Sequence, residues 1–212
     1  MKGIRVILAD DHAMVRAGMR GILEDAGIAV VGEAGTADEA LALVAGMPSE
    51  PPDLVVMDVS MPGTSALEAI RRLRVEHPDV RSLVVSVYGE DQYGLRSLRA
   101  GASGYLTKER SGRDLVDAVQ AIHEGRRYVS PDIERRFLDE TPAPEGRPPH
   151  ETLSPREYDV MCQIGRGSSI TEISKRLVLS PKTLSTFRAR LLKKMGFKGD
   201  ADIVRYVAEH AL

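Results

Sequence analysis

The chain has 212 residues, 42% of them hydrophobic and 28% charged, with a formal net charge of −2. That length exceeds what one compact domain usually holds, roughly 100 to 200 residues, and suits two. No apolar run approaches the roughly 18 residues needed to span a bilayer, and the apolar start, broken by Arg5, is too short for a signal-peptide core.

The single cysteine, Cys162, cannot form an internal disulfide and reads as a buried thiol, which together with the missing export signal points to a cytoplasmic protein. The small net charge conceals an asymmetry: −4 over residues 1–130, −3 over 131–152 and +5 over 153–212. A basic end on an acidic chain points to a polyanionic partner for that end, although many basic faces are only solvated surface.

Residues 1–130 alternate short β-branched runs with longer segments of helical spacing. Ile4 to Ala9, Ala29 to Ala34, Leu54 to Met57, Leu83 to Ser86 and Gly104 to Thr107 read as strands. Between them Ala13 to Asp25, Ala37 to Ala45, Leu67 to Glu76, Gln92 to Ala100 and Gly112 to His123 read as helices. Nearly continuous apolar strands alternating with helices imply an α/β fold, a five-stranded parallel, doubly wound sheet covered on both faces. Ligands in such sheets bind at the carboxyl ends of the strands, at the switch point in strand order.

Residues 131–152 are rich in proline and acid and read as a linker opening with a short helix through Phe137. Residues 153–212 are helical throughout, a small all-α domain whose starts are marked by Ser154-Pro155, Ser169 to Glu172 and Ser180-Pro181.

The first strand runs into Asp10-Asp11 and the third into Asp58, so a parallel sheet gathers three carboxylates at one edge. Asp11 alone could be a helix N-cap. Three acids at two strand ends are more simply explained by a divalent cation, and hard oxygen ligands suit Mg²⁺. Ser86 ends the fourth strand and Lys108 follows the fifth, which adds a hydroxyl and an ammonium to the same edge. Carboxylate, metal, ammonium and hydroxyl are the parts that phosphoryl transfer needs for positioning and charge neutralisation.

Asp10-Asp11, Asp58 within Met57-Asp58-Val59-Ser60-Met61-Pro62-Gly63, Ser86, and Lys108 within Gly104-Tyr105-Leu106-Thr107-Lys108, in that order, resemble the receiver domain of two-component response regulators. The resemblance implies that Asp58 accepts a phosphoryl group from a partner histidine kinase. It also implies that Asp10, Asp11, Asp58 and the Ser60 carbonyl hold Mg²⁺, and that Lys108 and Ser86 hold the phosphoryl oxygens. Tyr105 falls at the aromatic switch position, where a buried strand tyrosine without switching duty is the alternative. One departure is Ala66, where the family often has glycine. An enzymatic reading as a haloacid-dehalogenase-like phosphatase would require an acid two residues after the nucleophile, and that position is Ser60. A receiver that only binds proteins and is never phosphorylated is the other rival, and the complete acid, hydroxyl and lysine set argues against it.

No acid lies between Glu172 and Asp200, while that interval carries eight lysines and arginines. Two helices separated by Leu177 to Pro181 read as a helix-turn-helix, with the second helix, Pro181 to Met195, offered to a double-stranded DNA groove. At about 100° per residue, Leu184, Phe187, Leu191, Leu192 and Met195 share an inward face. Lys182, Thr183, Ser185, Thr186, Ala189, Arg190, Lys193 and Lys194 are the candidate contacts to DNA, while Arg188, near the apolar side, suits pairing with an acid such as Glu157 or Glu172 as well as it suits phosphate contact. Leu153 to Glu157, Ile170 to Leu177 and Lys182 to Leu184 resemble the LuxR-type DNA-binding domain, with Leu184 and Phe187 departing from its usual residues. Joined to a receiver, this places the chain with the NarL/FixJ class and implies a non-enzymatic transcription regulator. The class implies a homodimer contact through the last helix, for which Ile203, Val204 and Val207 are candidates, with ordinary core packing the even alternative.

Overall fold

The computed structural model describes residues 3–61, 64–139, 148–177 and 179–210, which fall into two compact units dividing at Pro142 and Ala143. In the first, five strands, β1 (Arg5–Ala9), β2 (Ala29–Ala34), β3 (Leu54–Asp58), β4 (Arg81–Ser86) and β5 (Gly104–Thr107), form one parallel sheet in the order β2-β1-β3-β4-β5. Parallel neighbours need crossover connections, and these are α1 (Ala13–Asp25), α2 (Ala37–Ala45), α3 (Ala66–Glu76) and α4 (Glu90–Ala100), with α5 (Gly112–His123) following β5.

The sheet is the core. Val6, Ile7, Leu8, Val55, Val56, Met57, Leu83 and Val84 are fully buried, because both faces are covered. On one face Met19 and Leu23 of α1 meet Leu115, Val119 and Ile122 of α5 over Leu8, Val56 and Leu83. Helix starts follow local capping chemistry: Thr36, Ser65 and Ser111 each accept a backbone N–H of the first turn of the helix they precede. Ala66, where a glycine is usual, is the buried first residue of α3, a position that asks for no glycine conformation.

The sequence places a linker over 131–152 that opens with a short helix; that helix is present, and the far end, read as linker, is structured as well. Residues Pro131–Asp139 form α6, a helix that packs on α4. Ile133 is buried with its side chain against Gly94, and Ser130 N–H donates to Glu90 Oε1 at 2.6 Å. At the far end Pro149–Thr152 form a 3-10 turn in which buried His150 shares a 2.8 Å hydrogen bond with the Tyr206 hydroxyl. Residues 140–147 lie outside the described residues.

The second unit contains α7 (Pro155–Gly165), α8 (Ile170–Arg176), α9 (Pro181–Met195) and α10 (Asp200–Glu209). Capping boxes at Ser154 and Ser169 start α7 and α8, and Ser180 caps α9. Leu153, Val160, Met161, Ile173, Leu184, Leu191, Ile203 and Val207 form its core. Helices α7 and α10 pack closely at Gly165, where a Cβ would lie 2.5 Å from the Val207 side chain.

Candidate functional site

The strand order reverses between β1 and β3, the position where a parallel open sheet leaves a crevice at its carboxyl edge. Ala9 stands opposite Met57 in the register, so the next residues, Asp10 and Asp58, flank that crevice. Both are buried, Asp10 completely and Asp58 to within 2%. Lys108, just past β5, donates to Asp10 Oδ2 at 2.6 Å and lies 3.0 Å from Asp58 Oδ2. Its own N–H donates to the Ser86 carbonyl at 2.7 Å, tying the β5 loop to the end of β4.

Burial pushes the Asp58 carboxyl above its ordinary value, and the nearby ammonium only partly offsets this. Burial alone would lower Lys108, but its bonds to Asp10 and Asp58 outweigh that and hold it above its usual value. The ammonium therefore stays charged while the carboxylate beside it is held at a cost.

Asp10, Asp11, Asp58 and His12 each offer a ligand atom within 4.8 Å of the others. Asp58 Oδ1 and Ser60 Oγ are buried without a hydrogen-bond partner. An orphaned carboxylate oxygen beside two further acids fits a hard cation bound through oxygen, with Mg²⁺ the best match of charge and ligand type. Asp11, at the rim, pairs with His12 Nδ1 at 2.7 Å.

Ser86 and Tyr105 are also brought to this end of the sheet, both buried. Ser86 Oγ accepts the Tyr88 N–H at 3.2 Å, and Tyr105 Oη donates to the Tyr88 carbonyl at 2.8 Å. Three participants escaped sequence reasoning. Tyr88 acts through its backbone, which leaves no residue-type signal. His12 reads as a helix-start residue, yet its N–H donates to Asp10 Oδ1 at 2.8 Å. Arg16 donates to the Asp10 carbonyl at 2.5 Å and to Glu33 Oε2 at 2.8 Å, fixing the strand end. Its place four residues after His12 on α1 was the available clue.

In the second unit α8, a turn and α9 make the helix-turn-helix. Leu184, Leu191 and Met195 are buried, while Lys182, Thr183, Ser185, Thr186, Ala189, Arg190, Lys193 and Lys194 all lie on the exposed side of α9. Lys194 is not a free cation: its ammonium donates to buried Glu157 at 2.6 Å. Arg188 pairs with neither Glu157 nor Glu172 but with Asp200 at 2.8 Å, since Glu157 holds Lys194 and Glu172 closes a capping box. Of the three residues expected at a dimer contact, Ile203 and Val207 are buried in their own domain's core. Only Val204, 43% exposed, presents its side chain outward.

The family description "Response regulator receiver domain" matches residues 6–120, and "Bacterial regulatory proteins, luxR family" matches residues 151–207. The chain is a response regulator. Relatives along its whole length agree. It is 37% identical to the response regulator UvrY of Escherichia coli K12, over 99% of this chain and 95% of the relative. It is also 37% identical to the response regulator GacA of Pseudomonas protegens, over 99% and 97%. Among solved structures, a two-component response regulator of the LuxR family from Aurantimonas shares 40% identity over 65% of this chain and 97% of that one, with a TM-score of 0.58. A structure of an RcsB–DNA complex shares 26% identity over 98% of both chains, with a TM-score of 0.57. This response regulator thus joins a receiver to a LuxR-type DNA-binding domain, the organisation of phosphorylation-controlled transcription regulators of the NarL/FixJ class. Among the described residues no helix is long and apolar enough to cross a membrane.

Proposed function

We propose that Asp58 is the phosphoacceptor of this response regulator and that its donor is a phosphohistidine on a partner kinase. The observation that carries this is the state of Asp58, buried at the switch point with Oδ2 near Lys108 and Oδ1 without a partner. Attack by a carboxylate oxygen on phosphorus breaks the P–N bond, the imidazole takes the electron pair, and an acyl phosphate remains on Asp58. Asp10, Asp11 and Asp58, with the Ser60 carbonyl, would hold Mg²⁺, which supplies charge neutralisation for the phosphoryl oxygens. Lys108 is placed to move one of its bonds from carboxylate to phosphoryl oxygen, and Ser86 Oγ to exchange its Tyr88 N–H bond for contact with the new group.

The output is DNA binding by a homodimer. The exposed face of α9 mixes cations with hydroxyls and a methyl group, which suits phosphates together with base edges. Val204 on α10 is the residue available for a dimer contact. A single thiol and the lack of a spanning helix among the described residues suit work in a reducing cytoplasm. Incubation of the full chain with Mg²⁺ and a small phosphodonor, read by intact mass, tests the central step. One phosphoryl group per chain is expected, none in Asp58→Asn, and none in either protein when divalent metal is removed. A stable adduct on Asp58→Asn would overturn the assignment.

A further inference from the structure

We propose that a second site, a cleft at the opposite edge of the receiver sheet, binds a small anion carrying two or more phosphoryl groups. The cleft has a volume of about 300 Å³ and lies where β4 and β5 begin, between the last turn of α3, the loop before β5, the end of α5 and the final turns of α6. Four arginines line it, Arg74, Arg81, Arg126 and Arg127, and among the described residues no carboxylate does. They stand on a segment, residues 1–130, whose net charge is −4, so the cleft focuses positive potential against an acidic background.

Ordinary structural duties account for only part of this cluster. Arg81 donates from Nη1 to the Ile122 and His123 carbonyls, closing the end of α5, but a guanidinium has five N–H donors. Its Nε and Nη2 take no partner among the described residues. Arg127 lies over the Phe137 ring, 4.5 Å from its centre, which fixes the plane of the guanidinium and leaves its N–H edge free to donate. Arg126 pairs with Glu124 at 2.5 Å, but both are well exposed, so a phosphate could displace that carboxylate at little cost. Arg74 is exposed and makes no ion pair among the described residues.

The walls keep the cleft open. Gly101, at φ 113°, lets the Arg74 side chain lie where a Cβ would come within 2.8 Å of its Cδ. Ser103 adds a hydroxyl to the same lining. Planar forked donors converging on a recess, rather than a flat basic stripe, match a compact anion with several oxygens better than a polymer backbone. One phosphate cannot engage four guanidinium groups spread over α3, β4 and the loop after α5, whereas two linked phosphates can. This inference does not rest on the assignment of Asp58.

Titration calorimetry on the full chain, in chelator so that the acidic cluster holds no divalent metal, tests it with pyrophosphate and with inorganic phosphate. Saturable binding of one pyrophosphate per chain is expected, with phosphate about tenfold weaker or more. Arg74→Gln and Arg127→Gln should each weaken pyrophosphate by about tenfold. Lys193→Gln, on the exposed face of α9, should leave it unchanged. Near-ultraviolet circular dichroism establishes that each variant is folded. Absence of saturation, equal affinity for the two anions, or loss of binding in Lys193→Gln but not in the arginine variants would each overturn the proposal.

Discussion

Tyr105 donates its hydroxyl hydrogen to the carbonyl of Tyr88, 2.8 Å away, while the N–H of the same residue donates to Ser86 Oγ. One peptide segment after β4 therefore connects the hydroxyl proposed to meet a phosphoryl group with the aromatic ring proposed to report it. If Ser86 turns toward Asp58, Tyr88 loses an acceptor and the position of Tyr105 loses its reason. Tyr105→Phe should destabilise the receiver by about 1 kcal/mol in urea unfolding, the cost of one buried hydrogen bond. Labelling of Asp58 should continue within about twofold, since the Tyr105 hydroxyl donates to the Tyr88 carbonyl, while the gain in dimerisation on phosphorylation shrinks several-fold. Sedimentation with and without phosphodonor measures this, and an unchanged gain would remove Tyr105 from the switch.

The raised carboxyl of Asp58 carries a stability consequence of definite sign. Because burial makes the folded state hold this proton more tightly than the unfolded chain does, stability falls as pH climbs from the ordinary carboxylate value through the raised one. Above that window the penalty is constant. Asp58→Asn removes it while Lys108 keeps its bond to Asp10, so in chelator at neutral pH the variant should melt at a higher temperature than the parent. The difference should vanish in acid and reverse in millimolar Mg²⁺, which stabilises only the parent. Thermal melts at three pH values decide it, and a variant less stable throughout would show that the Lys108 pair outweighs the burial of Asp58.

Neighbouring lysines on α9 should behave differently. Lys193 is exposed and makes no ion pair among the described residues, so Lys193→Ala should weaken DNA binding about equally on every sequence. It should also lower the salt slope by about 0.9 per monomer. Lys194 holds the buried Glu157 carboxylate, so Lys194→Ala should cost the second domain about 1 to 2 kcal/mol, less than a fully buried pair because the lysine is partly solvated. Urea unfolding beside a salt titration separates the two. If Lys194→Ala changed the salt slope and left stability alone, its assignment would return to DNA contact.

Much of this was legible in the sequence because it rests on local periodicity. The residues of α1, α2, α5 and β2 have the bounds that spacing alone predicts, and the acids fall at strand ends where a parallel sheet must gather them. What the sequence hid depends on long-range partners. Leu83 was the expected start of β4, which begins at Arg81, because a strand opening on arginine carries no apolar signal. Helix α6 was legible as a short helix opening the proline-rich stretch, but its packing on α4 through the burial of Ile133 was not. Lys194 and Arg188 look like any other cations until Glu157 and Asp200 are seen beside them.

The last helix was expected to supply a dimer contact, and burial divides its candidates. Val204→Asp should weaken dimers on DNA while leaving the monomer folded, because that side chain is 43% exposed. Gly165→Ala should instead destabilise the domain by about 1 to 3 kcal/mol, since the added methyl meets the Val207 side chain at 2.5 Å in a packed core. Gel filtration on operator DNA and urea melts report the two effects, and a Gly165→Ala domain of unchanged stability would mean that α7 and α10 separate at little cost.

Coupling between the domains is the remaining expectation. The acidic receiver and connecting segment, −4 and −3, share a chain with a basic recognition helix, so the unphosphorylated full chain should bind DNA more weakly than residues 150–212 alone. Charge cannot be the switch itself. Phosphorylation replaces the single negative charge of the Asp58 carboxylate with the about −1.5 to −2 of a phosphoryl group, a net gain of negative charge that would tighten a purely electrostatic clasp at the moment release is wanted. We therefore propose that the signal travels as a rearrangement along Ser86, Tyr88 and Tyr105 that changes the surface around β4 and β5 and promotes dimerisation. A differential stabilisation of about 1 to 3 kcal/mol, or 5- to 150-fold, is enough. Operator affinities of the full chain, the phosphorylated full chain and residues 150–212, taken at one salt concentration, test this. The unphosphorylated chain should be the weakest of the three. If residues 150–212 bind no better than it does, the receiver masks nothing and phosphorylation acts through dimerisation alone.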